Sequence, residues 1–275
     1  MKTLFKTFNL FLLGILAMPS FLLLFNFNNT KMETYGYYCD TNYFETGTST
    51  YTPVEIEYDS YTMSQVHMNR GIPDYSNNTQ LNSCAPMAAT IVIGYYDSLY
   101  ENLVPNASVG MWYNGQYYYS AMSSQVREIK EYIYTLMGTN TEAPGTSISQ
   151  FTAGFTSYVN QQGYNIAFTS CGTINFETYQ TYIELQQPIV IFLNSYSYYT
   201  GGIQADDGSK LSLVRKSSTN GHVAVCSGYQ TYTFTKNGNT WTNKYLVCSF
   251  GDGSYGLMDV TDLSCVDATF AVNIY

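Results

Sequence analysis

The hydrophobic pattern of this 275-residue chain changes from helical spacing in its first half to short apolar runs in its second half. Apolar residues at helical spacing predict helices at residues 85–100, 123–137 and 147–162. The later runs, which favour strands, cover residues 188–193, 222–229 and 244–250. Because helices come first and antiparallel strands follow, the pattern indicates an α+β fold.

The first predicted helix directly follows a cysteine. Cys84 lies in NSCAPMAAT at residues 82–90, where Pro86 suits the first helical turn. The N–H groups and the positive dipole end of a helix N-terminus favour a thiolate, which is the nucleophilic form of cysteine. The alanines after the cysteine leave room for a substrate. We therefore expect Cys84 to be a catalytic nucleophile, the alternative being a buried structural cysteine.

One of the two histidines begins a predicted strand. His222 lies in GHVAVCSGY at residues 221–229, where a strand would place it on the same face as Cys226. Its imidazole is able to take the proton of a nearby thiol, and the alternative is a hydrogen-bonded core histidine. A zinc site formed by His222 and Cys226 is excluded, because four strand residues span about 13 Å. The other histidine, His67, lies in a polar segment and is interpreted as a surface residue.

Composition and charge exclude several classes of protein. A hydrophobic content of 45% excludes a disordered chain. The net charge of −9 and the lack of a basic cluster exclude nucleic-acid binding. Of the six cysteines, five remain if Cys84 is free, and five cannot all pair within the chain. Cys226 and Cys248 lie in apolar strand-like runs and are interpreted as buried small hydrophobic residues.

The N-terminus carries an export pattern. Lys2 and Lys6 precede an apolar run over residues 8–27, which is typical of a signal peptide and long enough for a membrane anchor. No A-x-A cleavage site is visible, so both interpretations stay open, and both predict a secreted chain or one held at the membrane or cell wall. The predicted divisions are a signal peptide or anchor at 1–27, a linker or lead-in at 28–55, and one domain at 56–275.

Seven short segments of the chain match the sequence pattern of a known family. The clearest are IPDY at 72–75, NSCAPMAAT at 82–90 and GYYDSLYENLVP at 94–105, and weaker ones are GFTSYVNQQGY at 154–164, QQPIVIFL at 186–193, GHVAVCSGY at 221–229 and YLVCSFGDG at 245–253. In these segments the chain resembles the family 39 cysteine peptidases, which include the bacteriocin double-glycine leader peptidases. The resemblance implies a papain-like fold, hydrolysis of a peptide or protein substrate, and a Cys-His-Asp/Asn active site without a metal or organic cofactor.

The resemblance also implies a residue that orients the imidazole and an amide that forms the oxyanion hole. The family's third catalytic position, directly after a strand, matches Ser249 here, so Asp252 in the following FGDG turn is the best acidic candidate to orient the imidazole. An aspartate that only forms the turn is the alternative. Gln80 is the favoured amide for the oxyanion hole, although Asn78 lies at the more usual distance from the cysteine. Asp97, in GYYD, is expected to cap or pack a loop.

Together, these expectations predict an exported cysteine peptidase whose active site contains a thiolate–imidazolium pair. Cys84 would attack a peptide carbonyl, His222 would shuttle the proton, and Asp252 or Ser249 would orient the imidazole. The alternatives are a cell-wall peptide endopeptidase or amidase, a transglutaminase-like acyltransferase, and an inactive papain-like domain that serves binding or adhesion.

Overall fold

Four helices and twelve strands make up the described part of the chain. The computed structural model describes residues 49–69, 72–76, 80–105, 110–113, 116–119, 124–141, 144–172, 175–204, 208–253, 255–261 and 263–275. The helices are α1 (Cys84–Asp97), α2 (Ser124–Leu136), α3 (Ile148–Gln161) and α4 (Phe176–Glu184). The strands are β1 (Thr50–Glu57), β2 (Ser60–His67), β3 (Gly110–Tyr113), β4 (Gln116–Tyr119), β5 (Ile166–Ser170), β6 (Ile189–Leu193), β7 (Tyr196–Gln204), β8 (Lys210–Ser218), β9 (His222–Lys236), β10 (Asn239–Ser249), β11 (Tyr255–Asp259) and β12 (Val266–Ile274). The predicted signal segment at 1–27 and most of the predicted lead-in lie outside the described residues.

Ten of the described strands form one antiparallel sheet. Its order is β1-β8-β7-β11-β10-β9-β6-β12-β5, and β2 pairs with β9. The other two strands, β3 and β4, form a separate hairpin. The predicted α+β class is therefore confirmed for the described residues.

The sheet begins earlier in the chain than the sequence indicates. Two strands precede α1, and the first of them starts at Thr50, within the predicted lead-in. β1 pairs with β8 along all eight of its residues, and β2 pairs with β9. Most side chains of β1 and β2 are exposed or half-buried, so these strands lack the apolar alternation by which a strand is predicted. Domain structure therefore starts by residue 50 rather than 56.

α1 is buried along nearly its whole length. It packs against β9 and α2. Gly94 allows the segment that contains Pro73 and Tyr75 to approach closely, because an added Cβ would lie 2.8 Å from each of their side chains. A helix that is apolar on all sides is held by packing around its whole circumference. The position of its first residue, Cys84, is therefore fixed by the core.

The C-terminal end of α1 is closed by Asp97, as the sequence predicts. Its Oδ1 accepts a hydrogen bond from the N–H of Val104 at 2.8 Å. Burial raises the pKa of this carboxyl to about 6, although the hydrogen bond from Val104 acts in the opposite direction. The loop after α1 is thus held by a hydrogen bond to a carboxylate whose ionised form is disfavoured by burial.

We expect Asp97→Asn to stabilise the protein at neutral pH and to change its stability little near pH 4. The asparagine keeps an oxygen for the Val104 N–H but never acquires the buried charge. The folded-state pKa of about 6 lies above the ordinary value of 3.8, so the wild-type chain loses stability as the pH rises through this range. The gain at neutral pH is about 1 to 2 kcal/mol after allowance for partial exposure.

Urea unfolding at a series of pH values measures this difference between the two chains. Asp267→Asn is the matched control, because it removes a negative charge at an exposed position. A difference between Asp97→Asn and wild type that stays constant across the pH series would contradict the prediction.

Candidate active site

The sulfur of Cys84 faces amide groups at the start of α1. Cys84 is a half-buried residue with a free thiol, and the N–H of Ala85 donates a hydrogen bond to its sulfur. The Ser83 hydroxyl does not cap the helix and instead donates to the carbonyl oxygen of Gln80 at 3.0 Å. The first turn of α1 therefore presents main-chain amides to the thiol in place of a capping side chain.

The start of β9 brings His222 to the same place. The N–H of Val223, the residue after His222, donates a hydrogen bond to the Cys84 sulfur. This contact arises where α1 packs against β9. The structure thus brings together the cysteine and the histidine that the sequence predicts to act as a pair.

Burial keeps both members of this pair uncharged. It raises the pKa of the Cys84 thiol, and the hydrogen bonds from main-chain amides oppose this only in part. It lowers the pKa of His222 to about 4, against the opposing effects of a main-chain hydrogen bond and the charge of Asp252. At neutral pH the two groups are therefore a thiol and a neutral imidazole.

A main-chain carbonyl holds the imidazole. The oxygen of Phe250 lies 2.8 Å from Nε2 of His222. Since a carbonyl oxygen only accepts hydrogen bonds, Nε2 carries the ring proton and Nδ1 is the basic nitrogen. Ser249, one residue before Phe250, is buried, and its Oγ accepts a hydrogen bond from the N–H of Gly251 at 3.4 Å.

Asp252 occupies a different place from the one predicted. Its Oδ2 accepts a hydrogen bond from the Tyr198 hydroxyl at 2.9 Å and lies 3.6 Å from Nζ of Lys216. The position at Nε2 of the imidazole, where an orienting carboxylate was expected, is taken by the oxygen of Phe250. Asp252 acts on the imidazole through its negative charge, which raises the imidazole pKa.

Aromatic rings surround the imidazole and link it to Asp252. The Tyr196 ring lies 4.9 Å from the His222 ring, and the Tyr198 ring stacks on Phe250 at 3.9 Å. Gly256 leaves the space for Tyr198, because an added Cβ would overlap the tyrosine ring. Tyr198 therefore connects Asp252 with the residue whose carbonyl holds the imidazole. Sequence reasoning missed these tyrosines, since β7 carries no catalytic motif.

Gln80 lies in the bend before α1, and its side-chain oxygen is buried. This places an amide residue directly before α1, while its role in an oxyanion hole stays a prediction. Asn78, the alternative, lies outside the described residues.

His67 is partly buried, so its interpretation as a surface residue is wrong. It ends β2 and pairs with Gly228 of β9. Its imidazole lies in the space that the glycine leaves, where an added Cβ would be 3.2 Å from the ring carbon Cε1. Burial lowers the pKa of this histidine as well.

We expect substitutions at Asp252 and Lys216 to move the His222 pKa in opposite directions. Asp252→Asn removes a charge that raises this pKa, and Lys216→Met removes one that lowers it. Each shift is about half a pH unit, because both side chains are partly exposed and screened. NMR titration of the ring protons measures both histidines in one experiment. His67 is the internal control, and shifts of the same sign, or an equal shift at His67, would contradict the prediction.

Neither a protein-family model, nor a curated protein, nor a solved structure matches this chain. Among the described residues, no helix is both long enough and apolar enough to span a membrane.

Proposed function

We propose that the chain is an exported cysteine peptidase with a papain-like active site. The observation that carries this proposal is the hydrogen bond from the Val223 N–H to the Cys84 sulfur, because Val223 directly follows His222 in β9. The packing of the thiol-bearing helix against the sheet that bears the imidazole supports the papain-like arrangement. The proposal that the chain is exported rests on Lys2, Lys6 and the apolar run that follows them.

Catalysis starts from the neutral pair. Nδ1 of His222 accepts the thiol proton while the Cys84 sulfur attacks the carbonyl carbon of a peptide bond. The imidazolium then donates that proton to the leaving amine, which leaves a thioester on Cys84. Water, deprotonated by the same Nδ1, attacks the thioester, the Cys84 sulfur leaves as the carboxyl product is released, and the imidazolium returns the proton to that sulfur. The thiolate–imidazolium pair thus forms during the attack and not before it.

Surrounding groups stabilise the two charges that develop. The Phe250 oxygen and the charge of Asp252 both favour the imidazolium form of His222. On the substrate side, the main-chain N–H of Cys84 and the Gln80 amide are the proposed donors to the carbonyl oxygen as it becomes negative. Tyr198 acts through Asp252 and Phe250 as a positioning residue.

The uncharged resting state also favours a second candidate, an inactive papain-like domain that binds peptides. A thiol with a raised pKa next to an imidazole with a lowered pKa has little reactivity before a substrate arrives. The two candidates share the fold and the site and differ only in turnover.

The test is incubation of the purified full chain with two substrate mixtures: peptides from a bacterial protein digest and peptides from murein. Mass spectrometry of the products should show new peptide termini that increase with time. Termini confined to murein peptides would indicate the cell-wall enzyme, and ammonia release without new termini would indicate acyl transfer from glutamine. Binding of intact peptides without any product would overturn the peptidase proposal.

A further inference from the structure

Two thiols outside the candidate active site lie directly opposite each other in the sheet. Cys226 of β9 and Cys248 of β10 are partners in the antiparallel ladder. Both are free thiols and both are fully buried. The Cys248 thiol is hydrogen-bonded to the Cys226 side chain.

The backbone geometry at this pair suits a disulfide. Residues opposite each other in an antiparallel ladder have Cα atoms about 4.5 or 5.5 Å apart, and a disulfide needs about 4.4 to 6.8 Å. The register shifts between Val247 and Cys248. Such a bulge increases the local twist and bends the strand, so the pair does not lie in a flat, regular ladder.

A third thiol, Cys171, lies nearby but is less well placed. The charge of Cys226 acts on it, but its hydrogen bonds go to other residues, among them the carbonyl oxygen of Thr169 at 3.9 Å. The Cys226 thiol also donates to a main-chain oxygen, that of Gly228 at 3.4 Å, but Cys226 has Cys248 as its ladder partner and as a hydrogen-bonded neighbour. The geometry therefore selects one pair among the three thiols.

We propose that Cys226 and Cys248 form a cross-strand disulfide when the chain folds in the presence of a disulfide oxidant, such as oxidised glutathione or a thiol–disulfide oxidoreductase. The thiolate of one cysteine attacks the oxidant's disulfide, which forms a mixed disulfide and releases one thiol. The thiolate of the other cysteine then displaces the second thiol, and the Cys226–Cys248 bond forms. The two electrons reduce the oxidant, whose two thiols take up the two protons.

The order of folding makes this oxidation accessible although both thiols end up buried. β9 and β10 are consecutive strands joined at Asn237 and Gly238, whose φ angles of 50° and 76° fit a two-residue hairpin turn. A hairpin of adjacent strands pairs without long-range contacts. We therefore expect the thiols to meet before α4, whose Tyr179 is influenced by both of them in the folded protein, packs against β9.

The bond would join the two strands that carry the parts of the candidate active site. β9 begins with His222, and β10 leads into Phe250, whose oxygen holds the imidazole. A covalent link between these strands stabilises their pairing whether or not the site is catalytic. This inference rests on the export in the proposed function and does not depend on peptidase activity.

The first measurement is disulfide mapping of the full chain, isolated from the oxidising compartment with N-ethylmaleimide present to block free thiols. Trypsin, together with a protease that cleaves before aspartate, separates the fragments 217–236 and 245–251, which carry Cys226 and Cys248. The expected product is one species in which these two fragments are linked and which reductant separates. Thiols blocked at both positions, or a link from either one to another cysteine, would overturn the proposal.

Thermal unfolding gives the second measurement. Dithiothreitol should lower the Tm of the wild-type chain by about 6 to 12 °C, as expected for loss of a bond that closes a loop of this length. The Cys226→Ala/Cys248→Ala double variant should show no such change, while Cys171→Ala, the matched single-thiol control, should keep it. A Tm of the wild-type chain that is insensitive to dithiothreitol would count against the disulfide.

Discussion

Replacing Cys84 by alanine is expected to abolish peptide hydrolysis, lowering kcat/KM by about ten-thousand-fold or more. The substitution removes the only atom that attacks the substrate in the proposed mechanism. It should leave the fold intact, because alanine is favourable in a helix and Cys84 is a half-buried residue at the first position of α1. Initial rates on a peptide identified from the digest measure the effect, with circular dichroism as a check of the fold.

Two further variants make this result specific. Cys84→Ser keeps the shape of the side chain but supplies a hydroxyl, which the neutral imidazole cannot deprotonate well enough, so it should be equally inactive. Cys171→Ala removes a different thiol and should keep the wild-type rate. Hydrolysis that survives in Cys84→Ala would show that another residue, or a contaminating peptidase, is responsible.

The second large effect is expected for His222→Gln, which should lower kcat/KM by about a thousand-fold. The glutamine still offers an N–H to the Phe250 oxygen, so the buried acceptor keeps a donor. What it lacks is a basic nitrogen to take the thiol proton. The loss should therefore fall on kcat, with little change in substrate binding.

His67→Gln is the matched control, since the chain has only these two histidines and both are at least partly buried. It should keep the activity of the wild-type chain. Comparable losses in the two variants would indicate a general effect on folding, which urea unfolding of both chains would reveal. Full activity in His222→Gln would remove His222 from the mechanism.

The elements that surround the site were largely predictable because their apolar patterns are strong. The helices predicted at 85–100, 123–137 and 147–162 correspond to α1, α2 and α3, with boundaries shifted by one to three residues. α1 ends three residues early because Asp97 binds the Val104 N–H and closes the loop there. β6, the start of β9 and the end of β10 were predictable from their runs of buried apolar residues.

The polar elements were not predictable from local pattern. β9 continues to Lys236 as an alternation of tyrosine and threonine, which is held by pairing with β2 and β10 rather than by its own hydrophobicity. α4 was missed because only a few of its side chains are buried. These segments lack a strong apolar pattern and are stabilised by contacts with segments that are distant in the sequence. A single sequence does not reveal which distant segment will be the partner.

In the candidate site, too, some groups were predictable from the sequence and others were not. The cysteine and the histidine are recognisable because their chemistry requires particular side chains. The third partner, by contrast, is a main-chain oxygen, which every residue type carries. A search for an acidic or amide side chain therefore led to Asp252, which lies close enough to act by charge but bonds to Tyr198.

The main-chain acceptor changes which residue a mutational scan would identify. Any residue at position 250 carries a main-chain carbonyl oxygen, so substitutions there act through the ring contacts of Phe250 with Tyr198, Tyr196 and His222. The direction of that carbonyl depends on the turn that follows, where Gly251 has a φ of 70° and an added Cβ would lie 2.9 Å from Cγ of Met87. Loss of function should therefore map to the glycine, although the oxygen belongs to the phenylalanine before it.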